Sequence, residues 1–195
     1  MDTFWRNFAF GTSLLLALAA VTSCAQAEPL ELQVHMGKRM PLANSAILLT
    51  PTNALLIDAQ FQATDARELV AALEATKREL TAILLTHGHP DHVWGVVEVK
   101  KRYPDAVIYA RPAIKQEIEL EFRARLLRWS EVYRDEVPSA LPEIEPLEGD
   151  VFPFEGHRLE VIDLEPAETI HATAFYVPEL KAYIAGDQAY HKFHA

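Results

Sequence analysis

The sequence predicts an α/β fold, a layered sandwich of two sheets with helices outside. Three observations predict it. Short apolar runs of strand length are interleaved with longer stripes at helical spacing. Their order along the chain is strands, then helices, then strands again, which favours two packed sheets over one doubly wound sheet. The 195 residues are enough for one domain with a sizeable core.

Leu30 to Met36 alternates as a first strand. Ser45–Thr50 (SAILLT) and Ala54–Asp58 (ALLID) are apolar runs joined by the turn Pro51-Thr52-Asn53, a hairpin pattern. Thr64 is placed to cap a helix from Asp65 to about Glu79, with Leu69, Ala72, Leu73, Thr76 and Leu80 as its stripe. Thr81–Thr86 (TAILLT) reads as a buried strand that stops at His87. Val93–Tyr103 reads as helix and Ala106–Ala110 as strand. Pro112 suits the first turn of a long helix reaching about Glu136. Its stripe is Ile114, Ile118, Phe122, Leu126, Trp129 and Tyr133. That stripe is read as packing on a sheet, in preference to a lid over the site. After Pro138 the pattern is strand-rich: 144–147, 151–154, 157–164, 174–177 and 181–185.

Half of the residues are hydrophobic, 24% are charged, and the formal net charge is -10. That balance reads as a soluble globular protein and argues against non-specific nucleic-acid binding, since phosphate is repelled over most of the surface. The expected partner is a small-molecule substrate. Residues 1–27 read as a signal peptide: Arg6 in a positive n-region, the apolar run Leu14–Val21, and Ala25-Gln26-Ala27 as a small-x-small cleavage site. The run is too short to span a bilayer. Residues 28–195 form the domain. The expected location is periplasmic or secreted. Val21-Thr22-Ser23-Cys24 also resembles a lipobox, so a lipoprotein anchored at Cys24 is the alternative. Cys24 is the single cysteine, which rules out an intrachain disulfide.

The chemistry concentrates in Thr86-His87-Gly88-His89-Pro90-Asp91-His92. Three imidazoles and a carboxylate follow directly on a buried strand. In an extended segment residues two apart point to one side, so His87 and His89 can aim at one ion. The chain then turns at Pro90 into a helix, which swings Asp91 and His92 toward a second ion. Gly88 leaves room for substrate or metal to approach the backbone. Imidazole with carboxylate suits zinc, with iron or manganese as alternatives. No Ser/His/Asp arrangement and no glycine-rich cofactor motif accompanies the cluster.

HGHPDH matches the H-x-H-x-D-H motif of the metallo-β-lactamase superfamily, which the chain resembles from about residue 30 to 195. As in that family, the motif follows a strand and lies downstream of an Asp-ended strand, Leu55-Leu56-Ile57-Asp58. Ile170-His171-Ala172-Thr173 resembles the family's third histidine segment, with Ile where a Gly is usual. Ala185-Gly186-Asp187 resembles its strand-end Gly-Asp. The resemblance implies an αββα sandwich and two metal ions, zinc in the first instance. His87, His89 and His171 would hold one metal, Asp91 and His92 the other, and Asp187 would bridge them. Asp91 would also orient the attacking water or carry its proton. Two ions sharing a water lower its pKa toward neutrality. That chemistry cleaves esters, lactones, thioesters, amides or phosphoesters, and the bridging aspartate is closer to the glyoxalase II and lactonase branches.

The family's domain usually continues past the Gly-Asp strand, so the C-terminal part of the second half is expected to be missing. Either the chain is a fragment of a longer reading frame, or His191 or His194 substitutes as a ligand. His35 and His157 read as surface or strand-end residues. A catalytically degenerate or truncated member that binds metal without turnover is the alternative to an exported hydrolase.

Overall fold

Apolar residues at every second position sort themselves to two sides of one sheet, and this builds two cores. The computed structural model describes residues 29–166 and 169–188. The N-terminal leader pattern, Cys24, His191 and His194 lie outside the described residues.

The first sheet has six strands in chain order: β1 (Glu31–Met36), β2 (Asn44–Leu49), β3 (Asn53–Ile57), β4 (Glu79–Leu84), β5 (Val107–Ala110) and β6 (Glu145–Pro146). The pairs β1–β2 and β2–β3 are antiparallel; β3–β4, β4–β5 and β5–β6 are parallel. The second sheet has four antiparallel strands in the order β10 (Ala182–Ile184), β9 (Ala172–Val177), β8 (His157–Leu164), β7 (Val151–Phe154).

On β2, β3 and β4 the alternation is clean. Ile47, Leu49, Ala54, Leu56 and Ile83 join one core with residues of α1 (Ala63–Thr76), α3 (Val96–Arg102) and α4 (Pro112–Tyr133). Ala46, Leu48, Leu55, Ile57, Ala82 and Leu84 join a second core with Phe154, Leu159, Val161, Phe175 and Val177 of the other sheet. Strands buried on both faces read as continuous apolar runs, and ALLID and TAILLT are such runs. Full burial of each large aliphatic side chain favours the fold by about 1.5–3 kcal/mol. The result is a two-sheet α/β sandwich with flanking helices.

Three expectations change in detail, and one holds. Thr64 is not the cap of α1; Gln62 holds that position without a side-chain bond. Thr64 instead donates its N–H and its hydroxyl to the Glu136 carboxylate, at 2.7 Å each. The helix expected over 93–103 divides into α2 (Pro90–Val93) and α3, because the Gly95 N–H turns to the Gln60 carbonyl at 2.6 Å. His157 begins β8, but its side chain is buried rather than superficial. The stripe of α4 packs on the sheet as expected, with Ile114 and Ile118 buried and Trp129 and Tyr133 edge-on to Phe61.

Candidate metal centre

Three chain segments converge at the C-terminal end of β4. The first is the end of β3, where Asp58 adopts a left-handed backbone conformation (φ 59) and is buried. Its carboxylate accepts the Thr86 N–H at 2.8 Å through one oxygen. Through the other it accepts the Thr86 hydroxyl at 2.7 Å and pairs with His92 Nδ1 at 2.7 Å. The second segment is the motif itself. Since the Thr86 hydroxyl donates to Asp58, it accepts from His87 Nδ1, 3.0 Å away. One carboxylate thereby fixes both rings, directly for His92 and through Thr86 for His87. In each ring Nε2 is left as the atom that faces the site.

The third segment is Ala185-Gly186-Asp187. Asp187 presents Oδ1 to His92 Nε2 at 3.0 Å and Oδ2 to His87 Nε2 at 3.7 Å. Gly186 makes this approach feasible. It has φ +52, and a Cβ there would lie 2.4 Å from Thr86 Oγ1 and 3.2 Å from His87 Nδ1. The second sheet is locked to the motif nearby. The Thr173 N–H donates to the Thr86 carbonyl at 2.7 Å, and His87 bridges to Ala172.

His87, His92 and Asp187 each offer a ligand atom, all within 4.8 Å of one another. Asp91 stands beside them, Oδ2 lying 3.8 Å from His92 Nε2. His89 is next to His87, ring centroids 4.8 Å apart. His171 is exposed. It meets His89 along a cavity of about 430 Å³ that Glu117 also lines. The compact group thus takes His87 from one of the expected ligand sets and His92 from the other, with Asp187 facing both.

These residues fit a cation. The Nε2 atoms of His87 and His92 are buried with no hydrogen-bond partner. Asp187 Oδ1, 3.0 Å from His92 Nε2, is its charge partner. Buried orphan nitrogens are costly, and a metal ion satisfies them. In the metal-free protein the field is uneven. Burial, aided by the His92 charge, lowers the His87 pKa to about 3, so the His87 ring is neutral, the form a metal ligand requires. Burial also opposes charge on His92, but Asp58, Asp187 and Asp91 outweigh it and raise its pKa well above the ordinary value. Burial raises the pKa of Asp91. A divalent ion bound there would take the place of the extra proton on His92.

Two residues of this centre escape a reading of the motif. Asp58 closes an apolar strand, which is its only local signal. Thr86 looks like one more strand residue. The room beside Gly88 is not open to substrate: a Cβ there would sit 3.2 Å from Glu117 Oε1 and 3.4 Å from Ile118 Cγ1, both on α4.

Residues 39–194 match the family model of the metallo-beta-lactamase superfamily. A hydroxyacylglutathione hydrolase of Rhodopseudomonas palustris (strain BisB5) is 30% identical over 129 residues, 66% of this chain and 42% of the relative. A second, from Synechococcus sp. (strain JA-3-3Ab), is 30% identical over 56% of this chain and 34% of its own length. The chain therefore spans less than half the length of these curated relatives. Among solved structures, BLEG-1 B3 metallo-beta-lactamase superposes with TM-score 0.59 at 17% identity, covering 78% of this chain and 70% of that one. TTHA1623 in a di-iron-bound form gives 0.54 at 26% identity, covering 75% and 68%. By motif, fold and family match, the chain belongs to the metallo-beta-lactamase superfamily.

Proposed function

We propose that this protein is an exported metal-dependent hydrolase whose dinuclear centre, zinc in the first instance, cleaves a thioester. The observation that carries the reading is the pair of buried, unpartnered Nε2 atoms of His87 and His92 facing Asp187. The thioester class is supported by the hydroxyacylglutathione hydrolases among the relatives. Esters, lactones and amides are cleaved by the same chemistry and belong in the same screen. Export is supported by the leader pattern of residues 1–27.

His87, His89 and His171 on one side, and Asp91 and His92 on the other, would hold the ions, with Asp187 between. When bound, the ions lower the pKa of water and polarise the carbonyl under attack. The chain supplies the rest. Asp58 and Thr86 keep both imidazoles in one tautomer, with Nε2 inward. Asp91, beside His92, is placed to take the proton that the water loses and to pass it to the departing thiolate. The new C–O bond forms first and the C–S bond then breaks, giving a thiol and a carboxylic acid that releases its remaining proton to solvent as a carboxylate. A second reading, metal binding without turnover, is favoured by one observation: His171 is exposed and stands apart from the compact group.

The test is elemental analysis of the purified protein together with turnover of thioester, ester, lactone and β-lactam panels. About two zinc ions per chain, with thioester cleavage lost on chelation and in His89→Ala, is the expected result. Bound metal with no turnover across the panels selects the second reading. No bound metal would reject both.

A further inference from the structure

Nothing in the motif involves α4, yet α4 grips it. Gly88 lies between His87 and His89, and its carbonyl accepts a hydrogen bond from Arg125 Nη1. Arg125 Nη2 reaches Glu117 Oε1 at 3.2 Å and also pairs with Glu121. Glu117, Glu121 and Arg125 are spaced four residues apart, so they stack on one face of the helix. Neither end of the central pair is a solvated surface charge: the side chains of Arg125 and Glu117 are 19% and 15% exposed. Glu117 Oε1 is the atom nearest a Cβ at Gly88, and Glu117 Oε2 is buried without a partner. The helix thus meets both the carbonyl and the α-carbon of the glycine between two candidate ligands.

A peptide plane has only its two flanking dihedrals with which to re-aim the side chains on either side. Glycine leaves those dihedrals unusually free. Where two ligands flank a glycine, the directions of both depend on something outside the segment holding that plane. We propose that Arg125, braced by Glu117, is a positioning residue: it fixes the Gly88 peptide so that His87 and His89 present their rings to the same metal ion. The guanidinium suits this task. Its rigid fork serves the carbonyl and the carboxylate at once, which a lysine ammonium on a flexible stem cannot do with the same geometry. The inference rests on the metal reading of His87 and His89 and not on any substrate.

Cobalt(II) titration of the full chain tests it, followed through the visible absorption bands that report coordination geometry. Wild type, Arg125→Ala, Arg125→Lys, Glu117→Gln and the exposed control Arg123→Ala are compared, and the metal-free melting temperature is recorded for each. Arg125→Ala should weaken cobalt binding by about 10–100-fold, the usual cost of losing an outer partner of a metal site, and should alter the bands. Arg125→Lys should fall between Arg125→Ala and wild type. Glu117→Gln should shift the bands with a smaller loss, and Arg123→Ala should match wild type. If Arg125→Ala does not fold, the lysine variant carries the comparison. Wild-type affinity and bands in Arg125→Lys and Glu117→Gln would then overturn the proposal, as they would in Arg125→Ala. Absence of cobalt binding by the wild-type chain would instead remove the metal reading itself, and this inference with it.

Discussion

The two walls of the centre are built differently. On the wall made by the first sheet, His87 and His92 are buried, and each ring has its Nδ1 fixed by Thr86 or Asp58. On the wall made by the second sheet, His171 is exposed, and the Thr169 hydroxyl donates to its backbone carbonyl at 2.7 Å. One wall is determined by the fold before any ligand arrives. The other has its backbone set by the pairing of Thr173 with Thr86, while the His171 side chain stands exposed. Stability and metal affinity should therefore separate between the walls, and substitutions can test that.

The largest effect belongs to Asp58. Its carboxylate serves three donors on two residues of the motif and balances a buried His92. Asp58→Ala leaves those donors and that charge uncompensated, and removing one partner of a buried pair typically costs about 3–5 kcal/mol. Denaturant unfolding of the metal-free protein should show a loss of that order. Asp58→Asn, which keeps the shape and tolerates the left-handed backbone, should lose less. If Asp58→Ala unfolds at the wild-type denaturant concentration, the first wall is not the rigid one.

Gly186→Ala should come next. Its methyl would lie 2.4 Å from Thr86 Oγ1, against the relay that holds His87, and the backbone there has positive φ. Overpacking of this kind costs about 1–3 kcal/mol. Because the clash falls between the segment carrying Asp187 and the one carrying His87, metal content should drop along with stability. A stable Gly186→Ala protein with full metal content would mean that these segments can separate at no cost, and that the close approach is not needed for binding.

How much of this is legible in the sequence follows from where the interactions run. Candidate ligands crowded into one short segment, His87 to His92, announce themselves, because three imidazoles and a carboxylate at a strand end have few other uses. The two-sheet sandwich is legible because strands buried on both faces carry unbroken apolar runs. Asp187 and His171 stand out only by resemblance, since one Gly-Asp or one histidine is uninformative alone. Asp58 is 34 residues from the ring it orients. Arg125 is 37 residues from the carbonyl it holds. A charged residue on the polar face of an amphipathic helix has the same pattern whether it faces water or grips a loop. Thr64 shows the converse: its place before a helix suggests a cap, but Glu136, 72 residues away, supplies a stronger acceptor for both its donors.

The smallest effect on the fold, and the sharpest on the comparison, is expected at His171. An exposed side chain outside the core contributes little to the metal-free protein, so His171→Ala should leave its stability within about 0.5 kcal/mol of wild type. The contribution should emerge only with metal. A ligand that binds the folded state raises stability in proportion to the logarithm of its affinity, so a tenfold weaker metal removes about 1.4 kcal/mol of that gain. Melting curves with and without zinc should then show wild type and His171→Ala coinciding without metal and parting with it. His92→Ala, on the buried wall, should differ from wild type under both conditions. If His171→Ala gains as much from zinc as wild type does, His171 is not a ligand in this chain, and the compact group of His87, His92 and Asp187 binds without the second wall.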